Sequence, residues 1–393
     1  MTAANVTGPA AKARPLDLLY GEAETELRAA VRALLADKAA WRDVLARTET
    51  AETYDTGLWH TLAAEVGVAG LLIPESLGGA GASYREAAVV AEEIGRSIAP
   101  VPFLGSAVVA TTALMSAGDT ELLTELASGA VTAALAVPFA AGPGQLPAPT
   151  VRLEGPQPGD AAGTYRLSGQ VLGVADALPA DVLLVPADGV PYGLYAVRVR
   201  DAGVGTAPVV SLDQTRQLCD ITLAGAPASQ VASGRTAEAA VTAAVLAGAG
   251  LLASEQFGLA ERALEITVAY VQERRQFARP VGGFQAIKHR LADLWVAVTQ
   301  ARAAARSAAN GLVNASGTES ELAVALAKAA CSDTALKAAQ EMIQLHGGIG
   351  FTWEHPAHLF LKRAKADSIG FGTADAHRAS LARLANLPAP PAG

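Results

Sequence analysis

The chain is predicted to be an α+β multidomain protein: a helical domain, then a β-sandwich or barrel, then a helical bundle. Three observations predict this. Apolar residues recur at helical spacing from about residue 22 to 130. That period vanishes from about 131 to 230, where Pro and Gly become frequent and apolar runs shorten. It returns in longer stretches from about 231 to 385. The domains are accordingly drawn at 1–130, 131–230 and 231–393. With 51% hydrophobic and 17% charged residues, a chain of 393 residues can bury a large core and is not disordered.

In the first part, GEAETELRAAVRALLADKA sets Leu27, Val31, Leu34 and Leu35 on one helical face. TGLWHTLAAEVG and SYREAAVVAEEIGRSI keep the same period, and Asp119 to Ala130 reads as a further short helix. Between them GLLIPESLGGAGAS is stopped by Pro74 and a glycine cluster. In the middle part, TYRLSGQVLGV opens on alternation, and DVLLVPADG, YGLYAVRV and DITLAG are short runs bounded by turn residues, hence strands. In the last part, the stretch from Thr236 to Phe277 reads as one very long helix or two in sequence. GFQAIKHRLADLWVAVTQARAAARSAANGLV is another helix, and TESELAVALAKAACSDTALKAAQEMIQLHGG ends on Gly347 and Gly348. NLPAPPAG reads as a disordered tail.

Several function classes fall away. A net charge of −8 argues against nucleic acid as the partner. The uncharged run between Glu238 and Glu255 is 16 residues, short of the roughly 20 a membrane span needs. The N-terminus has no apolar signal-peptide core, and Cys219 and Cys331 have neither metal-like nor redox spacing, so a reducing cytoplasm is the expected compartment. GGAGAS (78–83) lacks the Lys-Ser/Thr of a phosphate loop and reads as an interhelical loop. His355 and His358, with His346 nearby, have Pro356 between them and no acidic or thiol partner at metal-ligand spacing, so no metal is expected.

Three glycine-bearing segments are denser. YVQERRQFARP followed by GGFQ ends a helix at a basic pair and breaks the chain before the next helix. Arginine beside amide and aromatic side chains suits a phosphate-bearing aromatic ligand, although a charged helix–turn–helix reads equally well. QLHGGIGFT can expose backbone N–H groups to an anion or simply stop a helix. In Ile369-Gly370-Phe371-Gly372-Thr373, two glycines bracket one aromatic residue. Three such segments in one bundle favour a shared ligand.

These stretches resemble the acyl-CoA dehydrogenase family along nearly the full chain. YVQERRQFARPVGGFQAIKHRLADLW and QLHGGIGFTWEHPAHLFLKRAK look like its two FAD segments, and GLLIPESLGGAGASYREAAVVAEEIGR matches in style. The resemblance implies a C-terminal four-helix bundle and an oligomer, a dimer or pair of dimers, with FAD where subunits meet. It implies that Arg274, Gln276 and Phe277 of one subunit face the pyrophosphate and adenosine, with Phe284 and Gln285 at the next matched positions. Gln344, Leu345, His346, Gly347 and Gly348 would reach the same FAD from the neighbouring subunit, and Gly372 and Thr373 would lie along the flavin's phosphate side. The implied reaction oxidises an acyl thioester, on CoA or acyl carrier protein, to its α,β-enoyl form. A carboxylate removes the α-proton as a hydride leaves the β-carbon, and an electron-accepting flavoprotein takes the electrons.

The base is where this chain departs. In most members the residue before Gly-Thr is the catalytic glutamate; here it is Phe371. The alternative family position, counted back from Arg274, falls on Gly248. Glu255 is the nearest carboxylate, a displaced base or else a helix-surface glutamate. The family's hydroxyl and indole contacts to the flavin are replaced by AVPFAAGP (136–143) and QVLGVADA (170–177). The Phe371 backbone N–H would remain as a donor to the thioester carbonyl. The expected function is therefore α,β-dehydrogenation as the base-lacking subunit of a heteromeric enzyme. The alternatives are a self-sufficient homo-oligomer of altered chemistry, acting on a carrier-protein thioester or as a flavin monooxygenase, or a non-redox protein on the same fold.

Overall fold

The structure, a computed structural model, describes residues 18–144, 146–155, 164–189, 191–314 and 317–387. The tail reading NLPAPPAG falls mostly outside them. The first helices are α1 (Glu22–Lys38), α2 (Trp41–Thr48), α3 (Thr56–Thr61), α4 (Tyr84–Ser97), α5 (Thr111–Ala117) and α6 (Thr120–Ala127). Capping explains several starts: Ser83 and Glu86 form a capping box on α4, and Asp55 and Asp119 accept N–H bonds at the starts of α3 and α6. The helical stretch TGLWHTLAAEVG continues past α3 as a π-helical turn, Leu62–Val66, and a second π-helical segment, Phe103–Ala110, runs straight into α5.

Seven strands follow: β1 (Ala133–Leu135), β2 (Val151–Glu154), β3 (Thr164–Ala175), β4 (Val182–Ala187), β5 (Gly193–Arg198), β6 (Val204–Pro208) and β7 (Leu218–Ser233). They form one sheet in the order β1-β4-β5-β7-β3-β2, with β6 also on β7. The sheet curls on itself. Backbone bonds Leu153 N–H to Asp188 O (3.1 Å) and Asp188 N–H to Val151 O (2.7 Å) bring its β2 edge back to the end of β4. Val151, Leu167, Leu183, Val185, Tyr195 and Ile221 share the enclosed core. The alternate residues Leu135, Val182, Leu184 and Leu194 face outward into the main core with the helices, as the two-residue period of a strand dictates.

The chain returns to helix as α7 (Gly234–Glu273), α8 (Gln285–Asn314), α9 (Thr318–His346), α10 (Ala357–Asp367) and α11 (Ala374–Leu384). The long stretch is thus one helix of 40 residues. Its apolar middle is buried between α4, α5, α8 and α9 rather than presented outward. The C-terminal bundle is built on these three long helices, with α10 packed on α7 and α9 and α11 packed on α9.

Candidate active site

The glycines around Phe371 have separate physical reasons. A Cβ on Gly370 would stand 2.3 Å from the Phe139 ring. Gly372 has φ +95° and lies against Gly142, part of the loop that leaves β1. Phe371 itself sits at φ +50°, held by its surroundings. Its N–H donates to Phe139 O (2.7 Å), and its carbonyl meets His377 Nε2 (2.8 Å). The donor expected to face a thioester carbonyl is therefore already engaged by the β-domain loop.

The Phe371 ring is buried, edge-on to Phe139 with centroids 5.5 Å apart. It also covers Gly248: a Cβ there would come within 2.8 Å of it. The two family positions for a base thus face one another, one filled by a ring and the other required to be glycine. Beside Phe371 a cavity of about 20 Å³ remains, lined by Leu104, Val109, Leu135, Val137, Asp176 and Arg216.

Glu255 is not a surface glutamate. It is 2% exposed and accepts bonds from Arg216 Nη2 (2.6 and 2.7 Å) and Arg363 Nε (2.8 Å). Burial alone would raise its pKa, but the charges of Arg216 and Arg363 and their hydrogen bonds hold it below the usual carboxylate range. A carboxylate so paired is a poor proton acceptor, which corrects the expectation of a displaced base. Arg216, Arg363, Asp367, Asp213 and Lys328 around it were missed. Asp213 and Arg216 share one segment and Arg363 and Asp367 share α10, but only the fold brings those pairs onto Glu255 and Lys328; Lys328, alone in ALAKAAC, is the one local signal.

The nucleotide-like segments meet elsewhere. Arg274, Gln276 and the run Gln344 to Gly348 line one cavity of about 630 Å³, with Tyr270 and Arg290. They belong to the same chain, because α7 and α9 point the same way and finish side by side. One chain thus brings both segments onto one cavity, where the resemblance divides them between neighbouring subunits. Arg274 has no ion pair among the described residues. His346 is buried, stacked on Tyr270 with centroids 4.2 Å apart, and its Nε2 has no partner. Burial lowers its pKa, so it is a neutral ring. Phe277 is 87% exposed; it, Phe284 and Gln285 stand outside the lining, with Arg279 stacked 3.8 Å over the Phe284 ring.

Gly372 and Thr373 are not part of this cavity. Thr373 caps α11 by accepting from the Ala376 N–H (3.3 Å), and Gly372 O accepts from Lys328 Nζ (3.3 Å). Along α7 the distance from Gly248, beside Phe371, to Arg274 is about 39 Å at 1.5 Å per residue. Within one chain the two sets cannot line a common cavity. The donors of the first set, a free guanidinium and glycine-flanked backbone around an open cavity, fit the adenosine–pyrophosphate half of a flavin dinucleotide. The second set does not leave the family's base space open, because Phe371 and Phe139 pack into it; the stretches matched to the flavin contacts, residues 136–138 and 170–172, line a separate cavity of about 250 Å³.

Comparison with known proteins agrees with the fold. Residues 21–131 match the acyl-CoA dehydrogenase N-terminal domain, and residues 238–385 match the acyl-CoA dehydrogenase C-terminal domain. The chain is 35% identical over 340 residues to acyl-CoA dehydrogenase IpdE2 of Mycobacterium tuberculosis, covering 86% of this chain and 89% of that protein. It superposes on a variant of the Tcur3481-Tcur3483 steroid ACAD with a TM-score of 0.80 and 29% identity, covering 93% and 98% of the two chains. It superposes on the ChsE4-ChsE5 complex from Mycobacterium tuberculosis with a TM-score of 0.82 and 26% identity, covering 95% and 100%. The chain belongs to the acyl-CoA dehydrogenase family, FAD-dependent oxidoreductases that act on CH–CH bonds.

Proposed function

We propose that this chain is the base-lacking subunit of a heteromeric acyl-CoA dehydrogenase. One observation carries the reading: the Phe371 ring occupies the space between both family base positions; Glu255 is locked between two guanidiniums, and Asp176, the acid in the cavity lining beside Phe371, is taken up by the Tyr54 hydroxyl and the Gly105 N–H. Phe371 itself cannot accept an α-proton. The open cavity at the ends of α7 and α9 is the chain's contribution. Arg274 would pair with the pyrophosphate, and the backbone from Gln344 to Gly348 would hold the adenosine side. FAD, when bound, supplies the hydride acceptor for the CH–CH oxidation. The isoalloxazine and the thioester would then lie in a related chain carrying a glutamate before its Gly-Thr.

The likeness to a steroid ACAD and to the two-component ChsE4-ChsE5 complex supports this reading, and supports a bulky acyl-CoA thioester as substrate. Exposed aromatic side chains, Phe277, Trp295, Phe351 and Trp353, give a partner apolar surface to cover. An electron-accepting flavoprotein would reoxidise the assembled enzyme.

The test is the visible spectrum and thioester-oxidising activity of the chain, purified alone and coexpressed with a glutamate-bearing relative. Alone it should be colourless and inactive; together the pair should be yellow and active. A yellow, active chain on its own contradicts the proposal and favours a self-sufficient enzyme of altered chemistry.

A further inference from the structure

We propose that the buried charged cluster beneath Phe371 is a proton-linked lock between the three domains, with Asp367 as the member that takes up or releases the proton. The cluster joins all three parts of the chain. Tyr54, just before α3, donates to Asp176 Oδ1 (2.8 Å) and to Gln217 O (3.0 Å) in the β domain. Asp176 Oδ2 accepts the Gly105 N–H (2.8 Å). From the segment before β7, Arg216 reaches Glu255 on α7, and Thr215 Oγ1 accepts from Arg363 Nη1 on α10 (3.0 Å). Asp213 lies 3.6 Å from Arg363, and its Oδ1 caps the Thr215 N–H (2.8 Å). From α9, Lys328 Nζ donates to Ser332 Oγ (2.8 Å), Asp367 O (3.0 Å) and Gly372 O, so it holds both ends of the loop that presents Phe371.

The charges do not balance. Arg216, Arg363 and Lys328 face Asp176, Asp213, Glu255 and Asp367, all 4% exposed or less, leaving one negative charge in surplus. A surplus charge in the interior is expensive, and a proton removes it. Asp367 is the member that has been left without donors. Both its oxygens are buried and accept no hydrogen bond; Arg216 Nε and Arg363 Nε stand off at 3.6 and 3.5 Å. Arg216 Nε is itself without a bond. The electrostatics agree: burial, then the neighbouring Glu255 charge, push Asp367 up to about 7. Losing that proton draws Arg216 and Arg363 toward Asp367 and loosens the grip of the 213–216 segment on the bundle. The sign follows. A carboxyl whose folded pKa is raised holds the folded state best when protonated, so its contribution falls as pH rises from about 4 and levels above about 7.

The experiment is chemical unfolding of the full chain and its Asp367→Asn variant across pH. One linked proton predicts that the ratio of unfolding constants, wild type over variant, rises about tenfold per pH unit between about pH 5 and pH 6.5, then flattens above about pH 7.5. A ratio that does not change with pH overturns the lock. Where the variant does not fold, infrared spectroscopy decides on Glu92→Gln, which removes the other carboxyl raised to about 7. A buried protonated carboxyl band should be present at about pH 5.5 and lost by about pH 8. Its absence at the lower pH overturns the proposal. Neither failure touches the heteromer reading, which rests on flavin and activity.

Discussion

Phe371 holds its left-handed backbone through the Phe139 carbonyl, His377 and the packing of its ring on Gly248. A buried aromatic ring removed from such a seat leaves a hole that the rigid glycine-lined walls cannot close. Phe371→Ala should lower unfolding free energy by about 3–5 kcal/mol in urea denaturation. The same residue marks how far the sequence could be read. Phenylalanine in place of the glutamate was legible once the family resemblance fixed the meaning of Gly-Phe-Gly-Thr, as was the emptiness at Gly248. The engagement of its N–H was not, because the acceptor is Phe139, brought over from the loop after β1. Arg274 was legible as the basic residue closing a helix. Its loss from a charged hydrogen bond to phosphate should weaken FAD binding in the assembled enzyme about 10- to 100-fold, measured by flavin titration of Arg274→Ala.

At the scale of elements, α7 organises the molecule. Its middle carries Gly248 and Glu255 into the core, and its end delivers Arg274 to the nucleotide cavity. Helical period and caps announced α1, α4, α6 and the three long helices. They did not announce α10 and α11, whose residues were absorbed into glycine-rich segments, or the closure of the sheet, which depends on the pairing around Asp188. The charged cluster was invisible for the same reason: Arg216, Glu255 and Arg363 come from three elements. Glu255→Gln leaves two guanidiniums buried without their shared partner, and should cost about 3–5 kcal/mol in denaturant unfolding. Because the folded pKa of Glu255 is depressed, its contribution is present above the ordinary carboxylate range and fades as pH falls below it.

For the whole molecule, the decisive feature is the separation of two half-sites along one helix. On the proposed reading, a chain with an open nucleotide cavity and a base space filled by Phe371 completes its redox centre with another chain. The family, and the order helix, sheet, helix, were readable from motifs; which half-site survived was readable only in outline, because closure is made by packing across domains. The most direct measurement is the flavin content of the purified complex between this chain and a glutamate-bearing relative. The account predicts one FAD for each pair of chains, lost when Arg274 is removed. Two FAD per pair, or flavin tightly held by this chain alone, would contradict it.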